Sequence, residues 1–216
     1  MENKFEEKMI IENNPVDPQS VEGIILAAGY SSRTEAFKLA LPVNGKPVIK
    51  HVIDAMIPIC QTIYIVTGHW KDELEMLLED YLKKKFRGKI YLVENENYQN
   101  GMFSSVKRGV SSLKRNTFFL TPGDYPLLTE EVFFMMLKVT GNIIIPRFQG
   151  RNGHPVLFKK FNKQLILDEP DSSNLKICIQ KQNPVYMDTD FESVLIDMDT
   201  REDYENILKI TTKGQV

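Results

Sequence analysis

Two cysteines, a single tryptophan and no apolar run near the roughly 20 residues that span a bilayer mark what this chain is short of. Cys60 and Cys178 are too few and too far apart for a disulfide framework or a CxxC metal site, so buried free thiols are expected. Excess charge of one sign is also lacking. The 27 basic and 29 acidic residues nearly balance, which argues against a nucleic-acid or membrane partner and makes any cationic site a local one. The start, MENKFEEKMI, has neither the basic lead nor the apolar core of a signal peptide, so a cytoplasmic protein is expected. No repeat or low-complexity linker divides the 216 residues, a length that can bury a substantial core. One domain over residues 21–216 is expected, behind a polar extension over residues 1–20.

Strand and helix patterns alternate along the chain. Residues 21–27, 62–67, 89–93 and 117–121 read as short apolar or β-branched strands. Helices are expected after Pro47 to about Met56, over 70–84, over 104–113 and over 201–210. Residues 142–146 and 155–158 read as further strands, separated by a turn over 150–153. This order predicts a Rossmann-like three-layer α/β/α fold, with a mainly parallel sheet and right-handed crossovers.

Chemistry concentrates between Leu26 and Ile49, LAAGYSSRTEAFKLALPVNGKPVI. A buried strand ends in small residues, Gly29 permits a sharp turn, and Arg33 and Lys38 follow with few competing acids. In an open α/β sheet, ligands bind at the carboxyl ends of strands, so two cations there suit a polyphosphate. Asp124 ends another strand, between Gly123 and Pro126, where its carboxylate would enter the same crevice and serve Mg²⁺; a turn residue bonded to nearby backbone is the alternative. Asp197 and Asp199 alternate around Met198, so an extended segment would project both to one face, although either could instead cap the helix that follows. Ser104 and Ser105 stand where a helix should begin and are read as either base or ribose contacts or simple caps. His51 and His69 have no metal-ligand spacing.

The phosphate loop resembles the signature of the MobA-like nucleotidyltransferases, with Leu41, Pro42, Gly45, Lys46 and Pro47 following Arg33 and Lys38. Within that group the chain is most similar to molybdenum cofactor cytidylyltransferases. Three more segments carry the likeness: NGMFSSV from Asn100, PGDYPLL from Pro122 and GRNGHPVLF from Gly150, with the acidic IDMDTREDY from Ile196 completing the order. The resemblance implies the nucleotide-diphospho-sugar transferase fold and a Mg²⁺-dependent transfer from CTP to molybdopterin or the molybdenum cofactor. A molybdoenzyme or its chaperone would receive the product. It gives Arg33, Lys38 and Asp124 catalytic roles and makes Asp124, Asp197 and Asp199 the metal set. Nucleotide contacts are implied for Leu26, Ala27, Ala28, Gly29, Thr67, Gly101, Met102, Ser104, Ser105, Pro122 and Gly123. The resemblance implies acceptor contacts for Arg151, Asn152, Gly153 and His154, although a lone His beside Pro can equally be structural, held by a backbone hydrogen bond. In related enzymes two alanines after the first Leu go with cytidine and two glycines with guanosine, so Ala27 and Ala28 favour CTP.

One departure falls inside the loop. Thr34 and Glu35 follow Arg33 where the family carries an apolar residue and then Gly, and Glu35 would oppose a polyphosphate unless it turns outward. Two other readings stand beside the first. One is a transferase acting on a sugar, polyol or methylerythritol phosphate; the other is a non-catalytic nucleotide-binding or cofactor-delivery protein.

Overall fold

The computed structural model describes residues 21–29 and 37–213. The expected extension over 1–20 lies outside them, as do Arg33, Thr34 and Glu35.

Four parallel strands form one side of the sheet, with β5 at its edge: β1 (Glu22–Ala27), β4 (Thr62–Thr67), β5 (Ile90–Glu94) and β6 (Phe118–Pro122). Beyond β6 lie β9 (Val156–Phe158), antiparallel to its neighbours, then β7 (Ile143–Phe148) and β10 (Val185–Asp188). The order is β10-β7-β9-β6-β1-β4-β5, and the short β8 (Arg151–Asn152) pairs with β7 as an eighth strand. A separate two-stranded ribbon joins β2 (Pro42–Val43) to β3 (Lys46–Pro47).

Both faces of the sheet are apolar, as a covered parallel sheet requires. Ile25, Ile63, Ile65 and Phe119 point to one face and pack with α1 (Val48–Met56), α4 (Glu130–Lys138) and α7 (Arg201–Lys213). Ile24, Tyr64, Val66 and Phe118 point to the other, under α3 (Met102–Ser112), α5 (Gln164–Leu167) and α6 (Leu175–Gln180). Gly109 lets α3 approach closely, since a Cβ there would stand 2.7 Å from Ile24 Cγ2. Cys60 and Cys178 are buried free thiols. Among the described residues, no helix is long and apolar enough to cross a membrane.

The structure corrects several boundaries. The helix expected over 70–84 is broken: α2 covers Lys71–Leu77, and a π turn follows over Tyr81–Lys85. That turn buries Tyr81, whose hydroxyl donates to both oxygens of Asp54 at 2.9 and 3.0 Å. The helix expected from Ser104 starts two residues earlier, at Met102, so Ser104 and Ser105 lie in its first turn and are not its cap. The turn over 150–153 contains the paired residues of β8. Helices α4, α5 and α6 and strand β10 have no counterpart in the sequence reading. In α4 the run VFFMML is almost uniformly apolar and shows no clear helical alternation.

Candidate functional site

The parallel strands β1, β4 and β6 end side by side, and their carboxyl ends open into a cleft of about 440 Å³. Leu26, Ala27, Ala28 and Gly29 form one wall as the chain leaves β1. Pro122, Gly123 and Asp124 leave β6 beside them, held by the Gly123 N–H donating to the Leu26 carbonyl at 2.9 Å. Gly101, Met102 and Ser105 contribute the start of α3, and Lys38 and Asp199 close the charged end.

Lys38 sits on a short 3₁₀ turn, Lys38–Ala40. Its ammonium donates to Asp124 Oδ2 at 2.5 Å and to Asp199 Oδ1 at 2.9 Å. Burial pulls the Lys38 pKa down, but the Asp124 charge and hydrogen bond, followed by those of Asp199, outweigh it and raise the value. The other Asp124 oxygen, Oδ1, is shielded from solvent and has no hydrogen-bond partner. Asp197 stands close enough that burial, then the charges of Asp199 and Asp124, push its carboxyl upward.

The acidic segment arrives here because Met198 is buried and its N–H donates to the Asp124 carbonyl at 2.9 Å. The capping expected of Asp197 or Asp199 falls to their neighbours. Thr200 and Asp203 form a reciprocal box at the start of α7, with Asp203 Oδ2 accepting from Thr200 N at 2.7 Å and Thr200 Oγ1 accepting from Asp203 N at 3.1 Å. The Asp199 carboxylate is thereby left to face Lys38.

Not every residue singled out in the sequence lines this cleft. Thr67 is buried at the end of β4, with no hydrogen-bond partner for its hydroxyl. Ser104 uses its hydroxyl locally, donating to the Asn97 and Gly101 carbonyls at 2.9 and 2.8 Å. Arg151 and Asn152 are exposed on β8, while Gly153 and His154 pack on the segment at Val194, whose carbonyl accepts from His154 N at 2.9 Å. Burial holds the His154 imidazole neutral by lowering its pKa to about 4, against the weaker effect of a hydrogen bond with the Leu120 backbone. Its ring meets Tyr125 edge-on at 5.1 Å. Burial, then Asp197, Asp124 and Asp199, raise the Tyr125 pKa, so the phenol stays protonated.

The sequence reading missed an aromatic rim. Phe37 and Trp70 line the cleft and stack with centroids 5.7 Å apart, and Tyr98 and Gln99 line it further along. Trp70 carried a usable signal: it is the only tryptophan and stands just past the carboxyl end of β4. Buried Asn95 was also missed. Its amide donates to Ser104 and Ser105 at 2.9 and 3.0 Å and so fixes the start of α3 against β5.

Comparison with known proteins places this arrangement. The chain is 28% identical over 186 residues to a molybdenum cofactor cytidylyltransferase of Escherichia coli, covering 86% of this chain and 94% of that one. It is 25% identical over 147 residues to a probable molybdenum cofactor guanylyltransferase of Bacillus cereus, covering 65% and 68%. A nucleotidyl transferase from Methanothermobacter superimposes with a TM-score of 0.75 at 18% identity over 91% of this chain and 99% of that one, a likeness of fold. The model of the MobA-like NTP transferase domain matches residues 23–178, so the chain belongs to that family and is a nucleotidyltransferase.

Proposed function

We propose that the chain transfers the cytidylyl group of CTP to the phosphate of molybdopterin, or of its molybdenum-loaded form, with Mg²⁺ as cofactor and pyrophosphate as leaving group. The observation that carries this reading is the meeting of Lys38, Asp124 and Asp199 at the carboxyl edge of the sheet, beside the Ala27–Ala28 wall. An oxygen of the acceptor phosphate attacks the α-phosphorus in line, and the bond from that phosphorus to the bridging oxygen of the β-phosphate breaks. A phosphate monoester is already ionised near neutral pH, so no protein base has to remove a proton. The work left to the protein is alignment and stabilisation of charge. Lys38, with Arg33 from the loop, would hold the β- and γ-phosphates as the leaving group gains charge.

The carboxylates fit a divalent ion. Among the described residues, no group of three His, Cys, Asp or Glu side chains forms a complete metal cage, but Mg²⁺ commonly takes only one or two carboxylates and completes its shell with water and phosphate oxygens. The unpartnered Asp124 Oδ1 is the kind of buried acceptor that a cation relieves. When bound, the ion would neutralise phosphate charge and favour departure of pyrophosphate. Asp124 and Asp199 would hold it, with Asp197 beside them.

Ala27 and Ala28 support CTP, as does the Escherichia coli relative, whose name gives it a cytidylyl transfer to the molybdenum cofactor. Tyr125 bridges from Asp124 toward His154, which supports an acceptor lying toward the segment with Arg151, Asn152 and Gly153. Residues 21–216 would form the transferase domain, acting in the cytoplasm without a catalytic part for residues 1–20. Pyrophosphate release measured with CTP, GTP and ATP, each against molybdopterin and simple phosphate esters, tests the reading. Release with CTP and molybdopterin is expected. Turnover only with another pair would move the substrate assignment, and none with any pair would leave a binding protein.

A further inference from the structure

We infer that Lys38 is the resident counter-cation of the carboxylate site: without substrate its ammonium occupies the oxygens a divalent ion needs, and a triphosphate admits the metal by drawing Lys38 away. This rests on the metal assignment proposed above and concerns how that site is filled. Lys38 Nζ touches Asp124 Oδ2 and Asp199 Oδ1 at 2.5 and 2.9 Å, and the Lys38 and Asp124 side chains are only 16% and 15% exposed. Solvent therefore screens the Lys38–Asp124 contact weakly, while the Asp199 side chain is half-exposed. The remaining Asp124 oxygen, Oδ1, belongs to the same carboxylate, so an ion there would lie within a few ångströms of the ammonium and be repelled by it. Metal and ammonium compete for one small pool of negative charge.

The exchange is mechanically simple. A lysine head is a compact charge on a flexible four-carbon stem, and Lys38 opens a 3₁₀ turn at the end of the loop expected to hold phosphate. The β- and γ-phosphates offer the ammonium new anionic partners, and its departure releases Asp124 Oδ2 and Asp199 Oδ1 from the ammonium. Metal and triphosphate must then bind with positive coupling, each raising the affinity of the other by the same factor.

The test is Mn²⁺ binding to the full chain without nucleotide, followed by the electron paramagnetic resonance signal of the free ion. Lys38→Met and Lys38→Gln should each bind Mn²⁺ at least about tenfold more tightly than wild type, whereas Lys38→Arg, which keeps the charge, should bind as weakly as wild type. Circular dichroism confirms that each variant is folded. Neutral variants that bind no better than wild type would overturn the inference, as would Lys38→Arg behaving like them. Adding Asp124→Asn to Lys38→Met should remove the gain. If the gain survives, the ion sits elsewhere and the metal assignment fails; if no gain appears at all, the counter-cation role fails while the pyrophosphate assay still judges the reaction.

Discussion

Met198 donates its backbone N–H to the carbonyl of Asp124 at 2.9 Å, and this bond sets the acidic segment of the C-terminal region against the end of β6. Met198 is 1% exposed, so its side chain anchors the segment in the core while the flanking carboxylates stay near the cleft. Local sequence proposes the two acids; the bond to Asp124 aligns them with the third.

Asp124→Asn keeps the shape of the side chain and removes its charge. Turnover should fall below detection while the melting temperature stays within a few degrees of wild type. Lys38→Met should lower kcat/KM by about a hundredfold or more, the usual loss for one well-aimed donor to a charged transition state. Steady-state pyrophosphate release and thermal melts measure both. An active Asp124→Asn enzyme would remove the metal role from this residue.

Gly68 is packed where β4 gives way to its loop. A Cβ there would stand 2.7 Å from the Ala28 carbonyl oxygen and 2.8 Å from Tyr98 Cβ, neither of which is the end of a flexible side chain. Gly68→Ala should therefore displace the Ala28–Tyr98 wall, cost about 1–3 kcal/mol of stability and weaken CTP binding. Trp70 is the only tryptophan and lines the same cleft, so its fluorescence reports the titration directly. Unchanged CTP affinity would separate this wall from nucleotide binding.

Asp197 carries a raised pKa because of burial and then the charges of Asp199 and Asp124. A carboxyl whose folded pKa lies above its unfolded value lowers stability as pH rises from the unfolded value through the folded one. Asp197→Asn should thus stabilise the substrate-free protein at neutral pH, modestly because the carboxyl is partly solvated. The gain should vanish below the ordinary carboxyl value of 3.8, where both states are protonated. Melting curves against pH, with Asp197→Asn beside wild type, show whether the two converge in acid.

His154 behaves in the opposite sense to a lysine with a partner. Its folded pKa is lowered to about 4 from 6.5, so the unfolded chain takes up a proton first as pH falls. Stability should drop between these two values and level off below the lower one, by about 3 kcal/mol. His154→Asn should flatten that part of the profile in urea melts. Acceptor KM should show no step near pH 6.5, since the ring stays neutral in the folded protein.

Much of the scaffold is legible along the chain. The apolar runs that became β1, β4, β5 and β6 are bounded by Gly, Pro or charged residues, and each lies within two residues of its expected limits. Helix α4 was hidden because its solvent-facing side carries the apolar Phe134 and Met135, so no polar stripe shows its period, and β10 because its four residues are too short for alternation to be distinctive. In the site, Lys38 and Asp124 stand out through their motifs. Trp70 could have been found as the single tryptophan just past β4, whereas Phe37 and Tyr98 do not stand out, because aromatic residues at a cleft rim have the same local pattern as core residues.

By itself the sequence determined the alternation of strands and helices and the place of Arg33 and Lys38 after the first strand, and it singled out Asp124, Asp197 and Asp199 as candidates, because periodicity and turn chemistry act over a few residues. Only the tertiary structure decided that Asp199 faces Lys38 while Thr200 and Asp203 cap the helix, that Ser104 spends its hydroxyl on its own loop, and that an aromatic rim closes the cleft. Each of these depends on contacts between segments far apart in the chain or on competition among neighbouring groups for one hydrogen bond. Such choices are settled by packing and desolvation of the whole sheet, which no local pattern contains.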